Sequence, residues 1–192
     1  MDTASSDADL VVASLDDPAR FADIFRRHYP AVYAYAVRAA GATAGEDIAA
    51  EVFVRAFAGR HRFDPAYKSA RPWLFGIAAN LVADHYRRGE RHSRALQRMT
   101  PPGAESTGFD TDVVIRVAAE ASIGSAEQLL GRLRREERDV VGLFALADLS
   151  YEDISRALGI PIGTVKSRLN RGRVALRNLI APFGESMDDS DE

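Results

Sequence analysis

The stretch Thr100-Pro101-Pro102-Gly103-Ala104-Glu105-Ser106-Thr107-Gly108 constrains the fold more than any other feature. Proline cannot continue a helix and glycine weakens one, so this stretch divides the chain in two. On either side the apolar residues recur at helical spacing, from Val11 to Arg98 and again from about Asp110 to Ile180, where Pro182 and Gly184 end the pattern. The only β-branched run, Val113-Val114-Ile115, sits inside a longer helical pattern, and there is no internal repeat. The expectation is an all-α chain of two small helical domains joined by a flexible linker, the second a helix-turn-helix. Its boundaries are an acidic N-terminal segment at 1–19, a first domain at 20–98, a linker at 99–111, a second domain at 112–182 and an acidic tail at 183–192.

The second half carries the sharper motif. Ser150 followed by Asp153 has the form of a capping box, with Asp in place of the more usual Glu or Gln, and would start a short helix bearing Ile154, Ala157 and Leu158. Gly159-Ile160-Pro161 supplies a tight turn, and a longer helix follows from about Ile162. This is helix-turn-helix spacing. At 100° per residue, Val165, Leu169, Gly172 and Leu176 form one narrow stripe that must face a core. Ser167 and Asn170 lie opposite, flanked by Lys166 and Arg171, with Arg168 nearer the edge. No acid occurs between Ile154 and Gly184, whereas Arg156, Lys166, Arg168, Arg171, Arg173 and Arg177 are all basic. Arg suits guanine edges, Asn suits adenine, and Lys or Ser can hold phosphate or base, so this face reads as DNA-binding rather than as an ordinary solvated one. Gly163-Thr164-Val165-Lys166-Ser167 is not a phosphate loop, because two residues separate the glycine from the lysine and no strand precedes it.

Charge supports a polyanion partner once its segregation is recognised. The formal net charge is -3, yet Asp2, Asp7, Asp9, Asp16 and Asp17 crowd one end and Glu185, Asp188, Asp189, Asp191 and Glu192 the other. Setting those ten aside leaves 18 of the 28 acids against 25 bases, a body of about +7 between acidic ends expected to be flexible. An apolar content of 46% suffices for packed cores. The absence of cysteine excludes a disulfide framework and cysteine metal sites, and fits a reducing cytoplasm. No apolar run approaches the roughly 20 residues of a membrane span, and Met1–Asp9 is too polar for a signal peptide. His28, His61, His85 and His92 form no metalloprotease motif, so neither a metal, a cofactor nor an enzyme is expected.

In the first half, Ile48, Val52 and Ala56 recur at four-residue spacing while Asp47, Glu51 and Arg55 line the opposite side, a pattern that plain helix stabilisation also explains. A Pro-bounded loop from His61 to Trp73 then mixes cations with rings, and Pro72 suits the start of a new helix. There Trp73, Ile77 and Leu81 share one face, and Asn80, Asp84, Arg87 and Arg88 another. Residues 55–98 hold ten Arg or Lys against Asp64, Asp84 and Glu90. Cations that hold a backbone, beside rings that receive unstacked bases, are the chemistry of single-strand capture. Trp73 and Phe75 read as core, whereas Phe63 and Tyr67 are open to either role.

Together these blocks resemble the extracytoplasmic-function sigma factors of the sigma-70 family. Glu46-Asp47-Ile48-Ala49-Ala50-Glu51-Val52-Phe53 is similar to the family's polymerase-clamp helix in region two. Phe63-Asp64, Arg71 to Asn80, Asp84 and Arg87-Arg88 are similar to its strand-melting and minus-ten segment, and Leu149 to Leu169 to region four, which reads the minus-thirty-five element. Three positions depart from the pattern, namely Ala50, Arg134 and Gly172, the last expected to weaken its helix slightly. The resemblance implies a promoter-specificity subunit whose partners are core RNA polymerase, promoter DNA and an anti-sigma factor, without membrane insertion. It implies polymerase binding by Asp47, Glu51 and Arg55, and minus-thirty-five binding by Lys166, Ser167, Arg168, Asn170 and Arg171. Minus-ten binding and melting fall to Arg62, Phe63, Tyr67, Lys68, Arg71, Asn80, Arg87 and Arg88. The alternative is a helix-turn-helix regulator that does not join polymerase, which leaves the first half without a role.

Overall fold

A computed structural model describes residues 5–99 and 124–180, so the acidic tail, the expected linker beyond Met99 and the pattern expected to resume near Asp110 lie outside the described residues. Among the described residues every regular element is helical. The first bundle comprises α1 (Asp7–Asp16), α2 (Phe21–Ala40), α3 (Ala42–Gly59) and α4 (Arg71–Met99), with single 3₁₀ turns at Pro18–Arg20 and Arg60–Arg62. The second comprises α5 (Gly124–Gly131), α6 (Arg135–Ala145), α7 (Tyr151–Leu158) and α8 (Ile162–Ile180). In the first, α2 and α3 pack as a pair with α4 across both; in the second, α8 packs on α6 and α7. The two bundles also pack on one another, α4 against α6 and α7 and α2 against α5, and one continuous apolar core runs through both.

The acidic segment at 1–19 contributes a helix to the first bundle instead of remaining a free end. Ser6 and Asp9 form a reciprocal capping box that starts α1, and Leu10 and Val11 enter the core. Asp7 is the pin. Its carboxylate accepts from His28 Nε2 (2.7 Å), from the Ala70 backbone N–H (2.9 Å) and from Arg27 Nη1 (3.2 Å), tying α1 to α2 and to the residue that opens α4. Burial opposes its ionisation more than any other single influence, but the hydrogen bonds from His28, Ala70 and Arg27 together outweigh it and hold the carboxyl down at about 2.

Helix α6 holds the second bundle against the first. Arg138 is buried and donates to the carbonyls of Leu130 (2.9 Å) and Leu133 (2.9 Å), while its guanidinium lies 3.9 Å from the ring centroid of Tyr86 on α4. The Tyr86 hydroxyl sits 2.8 Å from the carbonyl oxygens of both Ala39 and Glu127, joining α4 to α2 and α5, and burial pushes its phenol up. Burial likewise pushes Asp139 up to about 6, against the pull of Arg135, Arg138, Arg168 and Arg87. Gly172 is required by packing as well as tolerated by the helix. A Cβ at this position would lie 2.5 Å from Val141 Cγ2, so α8 and α6 close through the missing side chain.

The folded carboxyl of Asp7 is depressed from 3.8 to about 2, so its contribution is complete above pH 4 and disappears as the pH falls through 2. Asp7→Asn should therefore cost about 2 kcal/mol at pH 7 and almost nothing near pH 2. Urea midpoints at both pH values check this, and equal loss at the two would show that the charge is immaterial.

Candidate nucleic-acid interface

The helix-turn-helix forms as its local chemistry dictates. Ser150 Oγ accepts from the Asp153 backbone N–H (3.1 Å) to start α7. Gly159 takes the left-handed conformation (φ 62°) that ends it, and α8 begins at Ile162. Val165 and Leu169 are buried and Gly172 faces α6, so the core stripe is as the angular spacing predicts. Lys166, Ser167, Asn170 and Arg171 are exposed on the far side. Arg168 is half-buried, 3.6 Å from Glu136, and Arg171 Nε lies 3.7 Å from Glu137. Both arginines are thus held by acids of α6, while Ser167 Oγ donates to the Thr164 carbonyl (3.0 Å) and Lys166 and Asn170 stand exposed. Lys166 Nζ stands 6.0 Å from the ring centroid of Tyr151.

The first bundle presents a cavity of about 320 Å³ between the Pro-bounded loop, the N-terminal half of α4 and α7. Of the residues assigned to minus-ten binding, it gathers Arg62, Phe63, Tyr67 and Asn80, and adds Trp73 and Ile77 as apolar wall. Tyr67 is 43% exposed and reaches out of the core, whereas Phe63 is only 8% exposed and packs against Trp73 with ring centroids 5.2 Å apart. Phe63 is therefore a fixed wall and Tyr67 the adaptable ring. Trp73, expected in the core, is half-buried because it too faces the cavity. Lys68 and Arg88 are exposed outside the cavity lining, and Arg87 pairs with Asp84 one turn earlier on α4. Arg71 points elsewhere, donating to the Ala147 carbonyl of the second bundle (2.5 Å), with its buried Nε lacking a partner.

Asp47, Glu51 and Arg55 lie on one outward face of α3, with Glu51 bonded to Arg55 at 2.7 Å. Beside them an aromatic row that sequence reasoning did not assign runs along α2 and α3. Phe25 and Tyr29 stack at 4.7 Å, Tyr29 and Tyr33 at 5.9 Å, and Phe25 meets Phe53 edge-on at 4.9 Å. The four-residue spacing of Phe21, Phe25, Tyr29 and Tyr33 is visible in the sequence. Arg156 and Ala157 of α7, which also line the cavity, carry no comparable signal, because they come from the other half of the chain. Among the described residues no helix is long and apolar enough to cross a membrane.

Comparison with known proteins agrees with this geometry. Residues 24–92 match the model for Sigma-70 region 2, and residues 123–176 that for Sigma-70 region 4. The chain is 33% identical to the ECF RNA polymerase sigma factor SigW of Bacillus subtilis over 168 residues, 84% of this chain and 89% of that one. It is 31% identical to SigM of Mycobacterium tuberculosis over 180 residues (91% and 85%) and 31% identical to HrpL of Pseudomonas syringae over 140 (72% and 74%). Its fold is similar to that of CnrH, solved with the cytosolic domain of CnrY, at a TM-score of 0.65 and 23% identity over 92% of this chain and 98% of that one. It is similar also to RpoE of Bartonella quintana, solved with the anti-sigma factor NepR, at 0.56 and 23% over 84% and 96%. With both regions present in order, and relatives matched over most of their length, the chain belongs to the extracytoplasmic-function sigma factors of the sigma-70 family, the promoter-specificity subunits of RNA polymerase.

Proposed function

We propose that this sigma factor divides its work between its bundles, the domains being those expected at 20–98 and 112–182. Asp47, Glu51 and Arg55 on α3 dock core polymerase. Lys166, Ser167 and Asn170 read and hold the minus-thirty-five duplex, with Arg168 and Arg171 exchanging their α6 carboxylates for phosphate. The cavity of Arg62, Phe63, Tyr67 and Asn80 takes an unstacked base of the minus-ten strand, and Lys68, Arg71, Arg87 and Arg88 hold the backbone around it. The observation that carries this reading is the cavity itself, a base-sized recess in which the exposed Tyr67 ring, the Arg62 cation and the Asn80 amide converge beside Phe63, Trp73 and Ile77, with Asp64, Ser69 and Arg156 completing the lining. Work of this kind is recognition and duplex opening, with chemistry left to polymerase, in the cytoplasm. A protein inhibitor of the anti-sigma class is a further partner, since RpoE was solved with one. The polymerase-independent regulator has no use for the α3 face or the cavity, and the family assignment sets it aside.

Lys166→Ala with Arg171→Ala should weaken binding to the upstream promoter duplex and lower the slope of log affinity against log salt by about 1–2. An unchanged slope in a titration would place α8 away from the DNA. Glu51→Arg reverses charge on the outward side of α3 and should abolish co-purification with core polymerase while upstream duplex binding persists. Wild-type recovery of the complex would remove α3 from that interface.

Tyr67→Ala should slow strand separation about tenfold or more while closed-complex affinity holds, because stacking one base is worth about 1–3 kcal/mol. A promoter mismatched over the minus-ten element should restore the rate, its melting cost being already met. Permanganate reactivity on matched and mismatched templates reads both, and equal reactivity of variant and wild type on the matched template would make Tyr67 structural.

A further inference from the structure

The loop from Arg60 to Ala70 brings Arg62, Phe63 and Tyr67 to the cavity, yet its one regular element is the 3₁₀ turn at Arg60–Arg62. Its internal bonds are local. The Tyr67 N–H donates to the Asp64 carbonyl (3.2 Å) and the Ala66 N–H to the Asp64 carboxylate (3.0 Å). Bonds of this kind shape the tip of a loop, and its placement then depends on what holds the two ends. Here α1 holds both. At the first end, Arg60 Nε donates to the carbonyl of Ser14 in the last turn of α1 (3.2 Å), and Nη1 donates to the Phe57 carbonyl (2.6 Å). At the second, the buried Ala70 N–H donates to Asp7 Oδ2 in the first turn of α1 (2.9 Å). Ala70 directly precedes α4, so no carbonyl one helical turn back is available to its N–H. Asp7 supplies the acceptor, and its negative charge is favoured at that helix N-terminus. The anchors are themselves fixed: Asp7 by His28 and Arg27, and the fully buried Ser14 by its hydroxyl, which donates to the Val11 carbonyl (2.6 Å).

From this we propose that the acidic N-terminal helix is a brace for strand opening, with Asp7 and Arg60 as positioning residues that clamp the two ends of the base-capturing loop. The proposal rests on the reading of the cavity as the minus-ten site and adds to it two side chains that lie outside its lining. Leu10 and Val11 bury α1 in the core, whereas the directional bonds of Asp7 and Arg60 set where the loop lies on it. With both ends fixed, Phe63 stays against Trp73 with ring centroids 5.2 Å apart, and Tyr67 is presented beside them. A loop freed at either end would have to be ordered by the incoming base, at a cost to capture.

The test uses the full chain, free and assembled with core polymerase. Asp7→Ala removes the acceptor of the Ala70 N–H, and Arg60→Met removes the other anchor while keeping an unbranched stem. Asp7→Asn gives up the charge but keeps an oxygen for Ala70. Val32→Ala, buried on α2 and part of neither anchor, measures the effect of lost stability alone. Trp73 is the only tryptophan in the chain and packs on Phe63, so its fluorescence reports the loop without polymerase or DNA. In the free chain, acrylamide quenching of Trp73 should rise in Asp7→Ala and in Arg60→Met. If the unbraced loop is competent in about a tenth of the molecules, holoenzyme with either variant should open a matched promoter about tenfold more slowly. Closed-complex affinity should hold, and Asp7→Asn should open at close to the wild-type rate despite its lower stability. Permanganate reactivity reads opening, at a temperature where urea midpoints show every variant folded. Unchanged Trp73 quenching in both Asp7→Ala and Arg60→Met would overturn the brace. So would a Val32→Ala holoenzyme as slow as theirs, because lost stability would then explain the effect. Wild-type opening by Asp7→Ala beside slow opening by Tyr67→Ala would confine the anchors to folding and leave the cavity reading intact. Wild-type opening by Tyr67→Ala would instead overturn the cavity reading, and the positioning role with it.

Discussion

Gly76 has no side chain, and the two bundles meet through that gap. With α4 and α7 in backbone contact, the loop before α4 comes under α7, Arg71 reaches past the end of α6, and the cavity gains its far wall. A Cβ at this one position would meet the Ala157 carbonyl oxygen at 2.5 Å, so the two helices could not keep this approach. The apolar core that runs through both halves and the Tyr86 hydroxyl between Ala39 and Glu127 then extend the contact along α4. The interface is therefore specific in register, apolar at its centre and polar at its edges.

The positive charge of the body is less free than the sequence suggests. Arg138 is spent on the carbonyls of Leu130 and Leu133, Arg60 on those of Ser14 and Phe57, and Arg71 on Ala147. Arg87, Arg156, Arg168 and Arg171 each stand beside a carboxylate. Exposed pairs of this kind are worth little and exchange readily. Arg168 and Arg171 stand in such weak pairs, whereas Arg138, buried and bonded on two sides, is structural. Burial thus separates the cations left at the surface from those that hold the fold.

What could be read from the sequence was local. The Ser150 cap, the turn at Gly159, the core stripe of Val165 and Leu169, and the face of Asp47, Glu51 and Arg55 all follow from spacings within two helical turns, and each stands where that spacing puts it. The missed features depend on residues far apart in the chain. Asp7 looked like one acid in a free acidic end, because its partners Arg27, His28 and Ala70 lie 20 to 63 positions away. Gly172 looked like a weak point in α8, because Val141 is not adjacent in sequence. Phe63 and Tyr67 share a loop, and only the position of Trp73 decides that the first is wall and the second is free. Residue pattern gives the face of a helix, but the element opposite that face belongs to tertiary structure.

The same distinction separates the two candidate surfaces. The α8 face depends only on α8 and the acids of α6, so it is complete within the second bundle. The cavity takes its loop and α4 wall from the first bundle and Arg156 and Ala157 from α7, so it is complete only where the two bundles meet. A spacing within one helix therefore predicts the first surface, and no local pattern predicts the second.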